Sequence, residues 1–135
     1  MTRSRSPWLW AVVAGAAFMI IDAFRRRASA TVPGTTYKEG VTANFAPEIV
    51  RILPTIEAVH RSLGIRAPII TSGTEGHTTG LHPRGLALDL RTRDLPAMQI
   101  SALVIELRRA LGSDYDVVDE SHSASPHIHI EYDPD

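Results

Sequence analysis

No cysteine occurs in the 135-residue chain. Disulfides and thiolate metal sites are therefore excluded, and any metal must rest on histidine and carboxylate. A basic stripe is missing too. Five arginines against one aspartate give residues 1–30 a net +4, whereas nine basic against fourteen acidic side chains leave residues 31–135 at −5, within a whole-chain −1. An acidic domain of this kind is not a nucleic-acid binder. There is no internal repeat and no low-complexity tract, so the chain is not a repeat array. One domain fits the length.

The long apolar run is confined to Trp8–Phe24, seventeen residues broken only by Asp22, with Arg3 and Arg5 before it and Arg25, Arg26 and Arg27 after. As a helix it would span about 26 Å, the short end of what crosses a bilayer. Residues 1–30 therefore read as an N-terminal membrane anchor, with a cleaved signal ending at Ala28-Ser29-Ala30 as the rival. Residues 31–44 are turn-rich and read as a linker. A helix is expected from Pro47, with Ile49, Ile52, Leu53, Ile56, Val59 and Leu63 on one face and Gly64 as its stop. Pro54 lies inside and should kink or split it.

Strands are expected at 67–71 and 86–91, joined by a loop over 72–80. A second helix should start with Asp94 as cap and Pro96 in its first turn, carry Met98, Leu103, Val104, Leu107 and Leu111 on its apolar stripe, and stop at Gly112. Strands at 115–120 and 127–132 follow, and their short link, 121–126, allows antiparallel pairing. The order predicts an α+β domain over 45–135, with helices packed on one face of a small antiparallel sheet.

Side chains alternate faces along a strand. His127, His129 and Glu131 share one face while Ile128 and Ile130 take the other; Ala87, Asp89 and Arg91 likewise oppose Leu86, Leu88 and Leu90. His82 and Asp89 lie seven residues apart. One imidazole and one carboxylate from this stretch, with an imidazole from the last strand, form a His/Asp/His set that suits a catalytic zinc. An Asp buried beside histidines is costly unless it is paired or bound to a cation. His60 and His122 read as solvated surface residues, and His77 sits in the loop that enters the site.

Ser72-Gly73, then His82-Pro-Arg-Gly85-Leu-Ala87-Leu-Asp89, then His127-Ile-His129 resembles the zinc D-Ala-D-Ala carboxypeptidase family, which includes L-alanyl-D-glutamate endolysins and shares its fold with the Hedgehog signalling domain. The resemblance covers about residues 45–133 and implies a zinc peptidase acting on peptidoglycan stem peptides, monomeric and extracytoplasmic. It implies His82, Asp89 and His129 as metal ligands, with His127 as the alternative third ligand. His127 would otherwise meet the reacting oxygen, and Glu120 would be the general base, with Asp119 in reserve. Glu131, Asp116 and Asp119 are candidates to hold the ligand imidazoles.

The chain departs from the family in three places. Glu120 precedes His127 by seven residues instead of three or four. Gly80 stands where a Ser is usual. Thr74-Glu75 replaces a Tyr-Arg whose Arg grips a carboxylate or oxyanion, leaving Arg84 or Arg91 as substitutes. A non-catalytic zinc-stabilised module on the same fold is the rival reading, and a metal-free membrane interaction protein the second.

Overall fold

The structure is a computed structural model and describes residues 34–135. The proposed anchor or signal lies outside them. Among the described residues no helix is long and apolar enough to cross a membrane. The elements run β1 (Thr36–Tyr37), α1 (Pro47–Val50), α2 (Leu53–Ser62), β2 (Ile69–Ser72), a 3-10 turn (His82–Arg84), β3 (Ala87–Arg91), α3 (Ala97–Leu111), β4 (Tyr115–Asp119) and β5 (His127–Tyr132). The domain is α+β, as expected.

The strands form one five-stranded sheet in the order β1-β2-β3-β5-β4. β1 runs parallel to β2, and every other pairing is antiparallel. The sheet is thus mixed, which corrects the antiparallel expectation. The parallel strand comes from the segment read as a linker: Thr36 N–H donates to Pro68 O at 3.0 Å and Lys38 N–H to Ile70 O at 2.8 Å. Two residues held by backbone alone leave no alternation to read.

The helical stretch opened by Pro47 is split rather than kinked. α1 ends at Val50 and α2 starts at Leu53, which puts Pro54 in the first turn of α2. A proline there loses no intrahelical bond, whereas inside one continuous helix it would. At α3 the expected cap is corrected: Pro96, extended at φ −61° and ψ 149°, precedes Ala97, and no side chain caps the end. Asp94 instead accepts from Arg91 Nε at 3.0 Å.

Ile49, Leu53, Ile56 and Val59 from α1–α2, with Ile100, Leu103, Val104 and Leu107 from α3, pack on Ile70, Leu88, Leu90, Val117, Ile128 and Ile130 of the sheet. Leu88, Leu90, Ile128 and Ile130 are all at most 1 % exposed. The intervening residues of β3 and β5, Asp89, His127 and His129, therefore take the opposite face. His60 is corrected as well. It is buried on α2, its Nδ1–H donates to Arg66 O at 2.8 Å, and burial lowers its pKa.

Candidate metal centre

Pairing register does most of the assembly. β3 and β5 set Asp89 directly opposite His129 and Arg91 opposite His127. β2 contributes a bulge at Thr71, since Ile70 and Ser72 face the consecutive residues Leu90 and Asp89. Such an extra residue bends a strand and re-aims its side chains. Beyond β2 the chain loops back over the sheet, and the 3-10 turn at His82–Arg84 presents His82 to Asp89 from above.

Two glycines hold that loop down. A Cβ on Gly73 would stand 2.3 Å from Thr42 O, and one on Gly85 would stand 2.5 Å from Asn44 O. Gly85 also has φ +72°, a left-handed conformation that side chains disfavour. The segment 42–46 is thereby clamped beside His82, with Ala46 N–H donating to Gly85 O at 3.0 Å. Glu75 secures the same segment. Its carboxylate accepts from Thr42 N–H at 2.8 Å and from Gly73 N–H at 3.0 Å. Burial alone would raise its pKa, but these backbone donors outweigh burial and hold it low.

At the centre, Asp89 Oδ1 lies 2.9 Å from His129 Nδ1, 3.4 Å from His82 Nε2 and 3.6 Å from His127 Nε2. His82 and Asp89 are 7 % and 8 % exposed. Burial raises the Asp89 pKa, yet hydrogen bonds from His129 and His82 prevail and keep it well below the carboxylate range. The hydrogen bond to Asp89 raises His129 to about 9, against burial and with help from Glu131.

Each imidazole is oriented by a partner on its other nitrogen. His82 Nδ1–H donates to Gly73 O at 2.6 Å, which turns Nε2 to the centre. His129 Nε2–H donates to Glu131 Oε2 at 3.0 Å, which turns Nδ1 inward. His127 Nδ1–H donates to Ser125 O at 2.6 Å. Histidines that ligate metals are held in this way, with the far nitrogen on a carbonyl or carboxylate.

Ligand atoms of His82, Asp89 and His129 all lie within 4.8 Å of one another, a group that can hold a metal ion. Donors about 2.0–2.1 Å from a tetrahedral ion stand about 3.3 Å apart, close to the 3.4 Å and 2.9 Å separations found here. Of the two histidines on β5, this grouping includes His129.

Glu120 reaches the site despite the long link. Its N–H donates to His127 O at 3.0 Å, extending the β4–β5 ladder by one residue, and Ser123 N–H closes a turn on Glu120 O at 3.0 Å. The extra residues bulge outward, largely exposed. Glu120 Oε2 then lies 3.0 Å from His127 Nε2. Asp119 is of opposite parity and caps the same turn, accepting from Ser121 N–H at 2.9 Å; hydrogen bonds from the Ser121 side chain and backbone lower its pKa.

Among the proposed imidazole-holding acids, Glu131 performs that role; Asp116 stands opposite Glu131 on β4 and Asp119 serves the turn. His77 does line the site. It stacks on His82 with centroids 4.1 Å apart and rings 7° from parallel, and its Nε2 hydrogen-bonds Ser72 Oγ at 3.0 Å. The carbonyls of Gly73 and Ser125 had no sequence signal, because every residue carries one.

Comparison with protein-family models, with curated proteins and with solved structures finds no match for this chain. The fold and site define only a class: an α+β domain whose sheet carries a buried His/Asp/His group able to bind a metal ion.

Proposed function

We propose that this chain is a zinc metallopeptidase of the D-Ala-D-Ala carboxypeptidase type, on the fold shared with the Hedgehog domain, hydrolysing peptide bonds in peptidoglycan stem peptides. It works as a monomer, held at the outer side of a membrane by its apolar N-terminal segment. The observation that carries the reading is Glu120 Oε2 at 3.0 Å from His127 Nε2, on the same sheet face as the three ligand side chains. A binding module needs the ligands alone; a hydrolase needs a proton acceptor and an oxyanion donor beside them.

The ligand set, two imidazoles and one carboxylate without sulfur, fits zinc. Zinc held there supplies Lewis acidity to water and to the scissile carbonyl. Glu120 accepts the proton of the attacking water and returns it to the leaving amine. His127, fixed through Nδ1 by Ser125 O, directs its Nε2–H at the oxygen on which negative charge develops. Asp89 and Glu131 fix the placement and basicity of His129.

The non-catalytic zinc module is favoured by one observation: Glu75, where the family has its anion-gripping Arg, is committed to backbone N–H groups. Zinc content and muropeptide hydrolysis, measured together on the full chain and its Glu120→Gln variant, separate the readings. One zinc in each with cleavage by the wild type alone supports the peptidase. Zinc in both with cleavage by neither leaves the binding module, and absence of zinc from both defeats each of them.

A further inference from the structure

The ring of His77 lies flat on that of His82, with centroids 4.1 Å apart and planes 7° from parallel. His77 is exposed, whereas His82 is buried. The chemistry proposed above makes no use of His77, and it is not in the group whose ligand atoms meet at the centre. An exposed imidazole left to itself samples several rotamers, so a face-to-face stack on a buried ring needs an anchor.

The anchors of the two rings are consecutive in the chain. Ser72, the last residue of β2, stands opposite Asp89, and its Oγ lies 3.0 Å from His77 Nε2. The next residue, Gly73, accepts from His82 Nδ1–H through its carbonyl at 2.6 Å. Glu75 sets the direction of the Ser72 bond. Burial would raise the Glu75 pKa, but N–H groups of Thr42 and Gly73, joined by the Ser72 side chain, hold it low. A carboxylate only accepts, so Ser72 Oγ–H turns to Glu75 and the Ser72 oxygen accepts from His77 Nε2–H. His129 also packs on His82, with centroids 5.0 Å apart and planes tilted by 55°. The His82 ring is thus held at its Nδ1 edge and against two other imidazoles.

We propose that His77 is a positioning residue for the metal centre: its ring, anchored by Ser72, holds the His82 imidazole in the orientation that ligates the ion. The assignment rests on the metal-binding part of the reading above and is independent of hydrolysis. A bound metal ion draws electron density from its imidazole ligand, and the negative face of a neutral aromatic ring favours such an electron-poor partner. The stack is therefore stronger with metal than without it. It also opposes the ring rotation by which His82 would leave the ion, so the gain falls mainly on release.

The test uses the full-length wild type with His77→Ala, which removes the ring, and His77→Phe, which keeps a flat ring without nitrogens. Transfer of zinc to a chromophoric chelator gives affinity and release rate for each. Loss of the ring should weaken zinc about two- to tenfold, chiefly through faster release, and Phe should restore most of that loss. With cobalt in place of zinc, the ligand-field bands of the Phe variant should superimpose on those of the wild type. Metal-free unfolding should be the same for all three proteins, because His77 is exposed.

Equal zinc release from wild type and His77→Ala overturns the role. So does a Phe variant as weak as Ala, with shifted cobalt bands, since His77 would then be a ligand. A loss of stability in metal-free His77→Ala equal to that with metal makes the residue merely structural and overturns it as well. A wild type that takes up no metal defeats the metal centre and this role together. A wild type that binds zinc, responds to His77 as described and cleaves nothing leaves the role standing while the peptidase reading fails.

Discussion

Glu131 never reaches the centre, yet it sets how His129 can act. Its carboxylate holds Nε2–H at 3.0 Å and leaves Nδ1 to face Asp89. Removing the charge while keeping the shape, as in Glu131→Gln, should weaken zinc about 10–100-fold with little change in fold. Competition against a chelator of known affinity measures it. His129 also sets a proton balance. Raised to about 9, it is charged at neutral pH without metal. Its folded pKa lies above the unfolded value near 6.5, so this stabilisation is full below about pH 6.5 and is lost as pH rises through about 9. Zinc binding at pH 7 should therefore expel about one proton from His129, falling toward half near pH 9. Calorimetry in buffers of different ionisation enthalpy reads that number. The grouping of His82, Asp89 and His129 was legible in the sequence because few residue types can hold a metal. Their carbonyl partners were not.

Loops and strands carry a different share of the design. Gly85 combines a left-handed backbone with a Cβ position already filled by the Asn44 carbonyl. Gly85→Ala should cost about 2–5 kcal/mol, adding the conformational penalty to overpacking. Denaturant unfolding of the variant checks this, and a loss under about 1 kcal/mol would mean that the segment 42–46 yields easily. The periodic helices and both histidine-bearing strands were readable within a residue or two. β1 was not, since it rests on backbone bonds to β2. Nor was burial of His60, because its partner is a carbonyl across the end of α2. Asp94 was misread as a cap because a short acid before a helix is ambiguous, and here Arg91 takes it.

At the scale of the whole described domain, the three candidate ligands come from the 3-10 turn, β3 and β5, the last two held side by side at the middle of the sheet. Metal bound there ties residue 82 to residue 129 and is absent from the unfolded chain, so its binding energy adds to folding. At free zinc a hundred times Kd the gain is about 2.7 kcal/mol. In a domain of about a hundred residues that corresponds to a Tm rise of roughly 10–20 °C. Thermal unfolding with zinc and with excess chelator should differ by that amount. Coincident curves would mean that the group does not bind metal in solution.

The alternation of β5, His-Ile-His-Ile-Glu-Tyr, has a hidden degeneracy. Slide the strand by two residues and the isoleucines still face the core, while His127 takes the place of His129 opposite Asp89. Hydrophobic pattern alone cannot tell the two alignments apart. What separates them is the far end of the hairpin. There Tyr132 faces Tyr115 with centroids 5.3 Å apart. Tyr115 is itself pinned, its hydroxyl donating to Glu48 O at 2.8 Å and accepting from Arg51 Nε at 2.9 Å. A tyrosine pair about 10 Å down the strand thus selects which imidazole meets the aspartate.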